Sequence, residues 1–117
     1  VWVRRTTREF LEVRKFSVID QTKMVTAASE LARNTLLHGG GGEVTIEEIK
    51  KEARIGVKIV FRDEGPGIAD VDKAMQDGYT TGEGLGLGLG GSKRLVNEFE
   101  INTSLGEGTT ITIIRWR

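Results

Sequence analysis

Glu30 and Asn34 stand four residues apart in the run Ser29-Glu30-Leu31-Ala32-Arg33-Asn34. That spacing stacks two side chains on one face of a helix. A carboxylate and an amide oxygen stacked in this way can hold a hard cation and take the proton from a hydroxyl. An ordinary exposed polar pair has the same spacing, so the two readings stand side by side. A second candidate, Asp63-Glu64-Gly65-Pro66-Gly67-Ile68, follows directly on the apolar run Val57–Phe61. A carboxylate at a strand end can accept a hydrogen bond from an exocyclic amine such as that of adenine. Glycines after it let a flat ring lie against bare backbone. A plain surface turn is the competing reading of Gly-Pro-Gly. The third candidate is the run from Gly82 to Gly91, which leads into Ser92-Lys93-Arg94-Leu95-Val96. Backbone N–H groups converging before a helix make an anion site. The run is not a Walker A sequence, and its alternating Leu residues argue against a merely solvated linker. Gly106-Glu107-Gly108-Thr109-Thr110, the last candidate, reads by itself as a hairpin turn.

The elements that must position these residues follow from periodicity. A helix is expected from Val1 to about Arg14, with Val3, Thr6 or Thr7, Phe10 and Val13 at helical spacing. Asp20 is the expected N-cap of a second helix over Gln21–Leu37, with Met24, Val25, Ala28, Leu31, Ala32 and Leu36 on its apolar side. Glu43–Lys50 and Arg54–Arg62 alternate as strands around the charged turn Lys51-Glu52-Ala53. A short helix is expected at Asp70–Met75, a Gly-rich loop at Tyr79–Gly91 and a helix at Ser92–Asn97. Two further strands, Glu98–Ser104 and Thr109–Arg117, complete the order. Adjacent strands with helices elsewhere predict an α+β two-layer sandwich, with helices on one face of a mixed, mainly antiparallel sheet.

Bulk composition narrows the function. The 117 residues suit a single domain, 1–117. Lys+Arg and Asp+Glu are 17 each, so no charge excess draws the chain to nucleic acid or to a membrane surface. Cys is absent and His38 is the single histidine, which excludes disulfide frameworks and thiolate or multi-histidine metal sites. A cytoplasmic location is compatible with that. No apolar stretch approaches the roughly 20 residues needed to span a bilayer. Gly is 16 of 117, about twice the roughly 7% background, and is clustered at the candidate sites. Arg4, Arg5, Arg8, Arg14, Lys15, Lys93 and Arg94 read as solvated helix faces.

Taken together and in this order, the four pieces resemble the motifs of the GHKL ATPase superfamily, which includes gyrase B, histidine kinases and MutL. Glu30-x-x-x-Asn34 resembles its N box. Asp63-Glu64-Gly65-Pro66-Gly67-Ile68 and Gly84-Leu85-Gly86-Leu87-Gly88-Leu89 resemble its glycine boxes, and Gly108-Thr109 its threonine motif. Within the superfamily the chain is most similar to the anti-sigma-factor serine kinases of the stressosome switch type. Val18–Gln21, Ser29–Asn34, Met75–Thr81 and Lys93–Phe99 carry that similarity. The basic residue that histidine kinases usually have three after the Asn is replaced by Leu37, and no phosphoacceptor helix is seen.

The resemblance implies a serine/threonine protein kinase that uses ATP and Mg2+. Glu30 would be the general base and Asn34 the magnesium ligand. Asp63 would bind the adenine amine with support from Thr109, while Gly65, Gly67 and Ile68 shape the adenine pocket. Gly86, Leu87, Gly88 and Leu89 would offer backbone N–H groups to the phosphates, and Tyr79–Leu85, with the ATP-binding Gly84 in it, would form the ATP lid. The implied acceptor is Ser or Thr of a STAS-domain antagonist or scaffold protein, with a PP2C-type phosphatase as a further partner. The alternative is a nucleotide-gated binding module, an anti-sigma factor or phosphatase activator with little transfer. The family fold also begins with a strand that is not visible ahead of the first helix.

Overall fold

A computed structural model describes residues 2–37, 40–65, 88–104 and 106–117. Its elements are helices α1 (Trp2–Val13) and α2 (Val18–Leu37), strands β1 (Gly42–Lys51) and β2 (Arg54–Asp63), helix α3 (Gly88–Lys93), and strands β3 (Glu98–Ser104) and β4 (Gly108–Trp116). The strands form a four-stranded sheet in the order β1-β2-β4-β3. Every pairing among the described residues is antiparallel.

The register lays side chains in straight rows across the sheet. Val44, Phe61, Ile111 and Ile101 form one row, and Ile46, Ile59, Ile113 and Phe99 the next. Alternation along each strand turns these rows toward the helices. There they meet Met24, Ala27, Ala28 and Leu31 of α2 in a single apolar cluster. Leu11 of α1, Phe16 and Leu89 of α3 complete it. The α+β sandwich with helices on one face is therefore the observed architecture.

Local details differ from the periodicity reading, each for a physical reason. The cap of α2 is Ser17, whose Oγ accepts a hydrogen bond from the Asp20 N–H at 3.1 Å. Asp20 thus lies inside the first turn, and its carboxylate instead pairs with Arg115. Val13 and Leu36 are exposed at 75% and 68%, and Leu11 takes the core position on α1. Ile49 falls on the outer face opposite Gly56, because the alternation that buries Val44 and Ile46 places Glu48 inward. Glu48 is satisfied there by Arg14, whose Nε lies 2.9 Å away. Arg14 also lies 3.5 Å above the Phe10 ring, so it is not simply solvated.

Helix α3 starts at Gly88, ahead of the expected Ser92, and stops at Lys93 rather than Asn97. Glycine inside a helix costs about 1 kcal/mol relative to Ala. Burial of Leu89 and Ser92 against the rest of the fold works against that cost. The expected short helix at 70–75 and loop at 79–87 lie outside the described residues.

Candidate active site

The row that closes the apolar core at one end is polar. Gly42 of β1, Asp63 of β2, Thr109 of β4 and Thr103 of β3 stand side by side across all four strands. Asp63 is the last residue of β2, so its carboxylate faces the helix side of the sheet at its open edge. The Gly65 N–H donates to Asp63 Oδ1 at 2.9 Å. This turn fixes the carboxylate and leaves the second oxygen as an acceptor for a ligand.

Two glycines keep that end of the sheet tight. Gly108 has φ +84, a conformation that side chains rarely adopt, and a Cβ there would collide with the Asp63 carbonyl oxygen. A Cβ on Gly42 would strike the Arg62 carbonyl in the same way. Thr109 is buried, and its hydroxyl lies 2.9 Å from that of Thr103. The Thr103 hydroxyl also donates to the Gly108 carbonyl at 3.1 Å. The threonine motif is therefore more than a hairpin turn, because β4 presents Thr109 directly beside Asp63.

The other half of the candidate site is on α2. This helix is anchored by Met24, Ala27, Ala28 and Leu31, all at 0% exposure, so the edge that flanks this buried face is held in place. Glu30 and Asn34 stand on that edge one turn apart and are both half-buried. The Glu30 side chain is 13% exposed, and its contact with the Arg33 guanidinium is a loose 3.8 Å. Thr35, next to Asn34, is buried and donates to the Leu31 carbonyl at 3.0 Å. The amide oxygen of Asn34 is a donor of the kind a magnesium ion takes alongside phosphates and water. Among the described residues no group of three or more His, Cys, Asp or Glu is placed to hold a metal ion.

Thus the structure brings Asp63, Gly65 and Thr109 to one end of the sheet, and places Glu30 and Asn34 on one face of α2. Gly88 and Leu89 open α3, which packs against α2 with Leu89 buried. Gly67, Ile68, Gly84, Gly86 and Leu87 lie outside the described residues. Thr103 and Gly42 belong to the polar row but were not singled out from the sequence. Counting alternate positions back from Thr103 through Ile101 and Phe99 would have placed Thr103 on the inner face.

This fold, helices over one face of an antiparallel sheet, is matched by known proteins. Residues 19–117 match the family described as histidine kinase-, DNA gyrase B-, and HSP90-like ATPases, and the chain belongs to that family. Among solved structures, a mycobacterial sensor histidine kinase, MprB, shares the fold with a TM-score of 0.62 at 20% identity, covering 82% of this chain and 71% of that one.

Within the family the chain stands in the serine/threonine-protein kinase branch. It is 48% identical to the serine/threonine-protein kinase RsbT of Bacillus subtilis (strain 168) over 86% of this chain and 76% of the relative. An anti-sigma F factor of Bacillus cytotoxicus is 32% identical over 98% of this chain and 82% of its own length. No helix among the described residues is long and apolar enough to cross a membrane.

Proposed function

We propose that the chain transfers the γ-phosphoryl group of ATP to a serine or threonine hydroxyl of a STAS-domain antagonist or scaffold protein. The observation that carries the reading is Glu30, a largely buried carboxylate one helical turn before Asn34, with only a loose contact to Arg33. A family member that only sensed ATP would need Asn34 and Asp63, but no base at this position.

In the proposed reaction the Glu30 carboxylate takes the proton from the acceptor hydroxyl. The hydroxyl oxygen forms a bond to the γ-phosphorus as the bond to the β,γ-bridging oxygen breaks, and ADP leaves. Asn34 would hold a magnesium ion, which would supply charge neutralisation at the phosphates when bound. Asp63 accepts from the adenine amine, supported by Thr109, with Gly65, Gly67 and Ile68 against the ring. Gly84, Gly86, Leu87, Gly88 and Leu89 serve the phosphates through backbone N–H groups. The phosphate added to the partner brings negative charge to its interface and releases it. The freed kinase then engages a PP2C-type phosphatase. We place this partner switching in the cytoplasm of a bacterium, within a stress response.

A binding-module reading draws support from the anti-sigma F factor likeness. Incubation with radiolabelled ATP and candidate STAS proteins separates the two. The wild type labels a Ser or Thr on one of them, and Glu30→Gln loses about 10²–10⁴-fold of that rate while still binding ATP. A Glu30→Gln protein that transfers as fast as the wild type refutes the base assignment. A wild type that labels nothing but still binds its partner favours the binding module.

A further inference from the structure

Three arginines of α1 share one pocket. Arg4, Arg5 and Arg8 line it together with Val25 of α2, and its volume is about 270 Å³. Glu9 and Glu12 stand one turn after Arg5 and Arg8, the spacing at which helix ion pairs form. Neither pair forms, and among the described residues Arg4, Arg5 and Arg8 have no ion-pair or hydrogen-bond partner. Arg14 and Arg115, by contrast, are each held by a carboxylate. The chain as a whole balances 17 basic residues against 17 acidic ones, so this positive charge is local to the pocket. Val25 is 3% exposed and gives the pocket an apolar wall. Trp2, 67% exposed, stands one turn before Arg5 on the same helix.

We infer that this pocket docks an acidic, amphipathic segment of the protein that supplies the acceptor hydroxyl. The identity of the occupant rests on the kinase reading above; the preference for acidic peptide does not. Arg4 and Arg8 are one turn apart, which matches carboxylates one turn apart on a docked helix. A guanidinium can hold a carboxylate through two parallel hydrogen bonds. Val25 and Trp2 offer apolar contact beside these charges, and Trp and Arg are the residue types that dominate docking energies. A membrane surface fits less well, because the apolar face of α1 is already occupied. Thr7 and Leu11 are buried, and Val3 and Phe10 pack on the core. Val25 and Asn34 lie nine residues apart on α2, about two and a half turns, so the pocket and the Glu30–Asn34 edge flank opposite sides of one helix. A helix is about 10 Å across, a distance that a docked protein spans and a lone anion does not. A partner held by its acidic segment on one flank brings its hydroxyl to Glu30 on the other as an intramolecular event.

The test uses the full chain and a fluorescein-labelled peptide of about 14 residues built from Glu, Leu and Ala, with Glu residues one turn apart and Leu on the adjoining face. A second peptide carries Lys in place of Glu. By anisotropy the wild type binds the acidic peptide, less so as salt rises, and not the basic one. Arg4→Glu/Arg8→Glu weakens that binding by about 10–100-fold, as like charges brought together should. Arg4→Ala/Arg8→Ala weakens it less, and both variants keep the wild-type melt and ATP affinity. With the acceptor protein found by radiolabelling, the charge-reversed variant raises KM for that protein by a similar factor and leaves kcat unchanged. Equal binding of the two peptides by the wild type overturns the inference, as does undiminished binding by the charge-reversed variant. Arginine-dependent binding to phosphatidylglycerol vesicles, with no binding of the acidic peptide, overturns it in favour of a membrane surface. An unchanged KM in a variant that has lost the peptide removes the acceptor protein as the occupant. A wild type that labels no protein yet binds the acidic peptide overturns the kinase reading and leaves the docking pocket standing.

Discussion

Asp63→Asn exchanges a carboxylate for an amide of the same shape, and the structure fixes what that does. One oxygen of Asp63 receives the Gly65 N–H at 2.9 Å. In the variant the amide oxygen takes over that bond, which turns the amide NH2 toward the ligand. In the proposed site a donor would then face the adenine amine, itself a donor. The loss is a charge-assisted hydrogen bond, about 1.5–3 kcal/mol. At about 1.4 kcal/mol per factor of ten, ATP affinity falls by about 10–150-fold. The fold is spared, because the turn to Gly65 survives and the carboxylate is only half-buried. Titration calorimetry with Mg-ATP, alongside a thermal melt, measures both quantities. Unchanged affinity in a folded variant removes Asp63 from the site. A fall in affinity matched by a collapse of the melt assigns the residue to the fold instead.

Three further outcomes follow from other contacts. Arg115 joins β4 to α2 by placing its Nη2 2.6 Å from Asp20 Oδ1 and donating from Nη1 to the Leu95 carbonyl. Arg115→Met should cost about 1–2 kcal/mol, since the pair is only partly screened by solvent, and denaturant melts measure it. The hydrogen bond from Arg115 holds the Asp20 carboxyl below its usual value, more than burial raises it. A depressed folded-state value means that this stability is present above the unfolded carboxylate range of about 4 and lost as pH falls through the folded value. Melts taken from pH 6 to pH 3 should therefore show the wild type losing more stability below about pH 4 than Asp20→Asn; parallel curves would refute the linkage. Gly108→Ala forces a side chain into φ +84 and against the Asp63 carbonyl. A cost of at least about 1–2 kcal/mol in stability, with weaker ATP binding as β4 moves off Asp63, is expected in melts and calorimetry.

The helices, hairpins and apolar rows were legible because burial imposes a period on sequence. Val57, Ile59 and Phe61 alternate as a half-buried strand must, and Met24, Ala28 and Leu31 repeat as a buried helix face must. Glu30, Asn34, Asp63 and Thr109 stood out as candidates by spacing and chemical type. What stayed hidden depends on contacts between distant segments. The Asp20–Arg115 pair leaves no local trace, and it displaced Asp20 from the capping role that Ser17 fills. The start of α3 at Gly88 opposed local propensity, because burial of Leu89 and Ser92 is a tertiary effect. Thr103 was invisible until the β3–β4 register set it opposite Thr109.

The β2–β4 pairing also bears on how the domain assembles. The β1–β2 and β3–β4 pairs are hairpins between neighbouring strands, and each can form within its own stretch of chain. β2 and β4 are instead joined through α3 and β3, so their pairing must close a long loop. It is the seam between the two halves of the molecule, and the step of the sheet that topology makes slow. Asp63 and Thr109 face each other across that seam at its open end. Under the proposed function, a nucleotide held by both would act as a clasp on the joint that chain connectivity secures least, adding to the backbone ladder and side-chain packing that already hold it. Nucleotide turnover would then also be a cycle of fastening and loosening between its two halves. Slower amide exchange along β2 and β4 in the presence of ADP, beyond any slowing in β1, would be its signature.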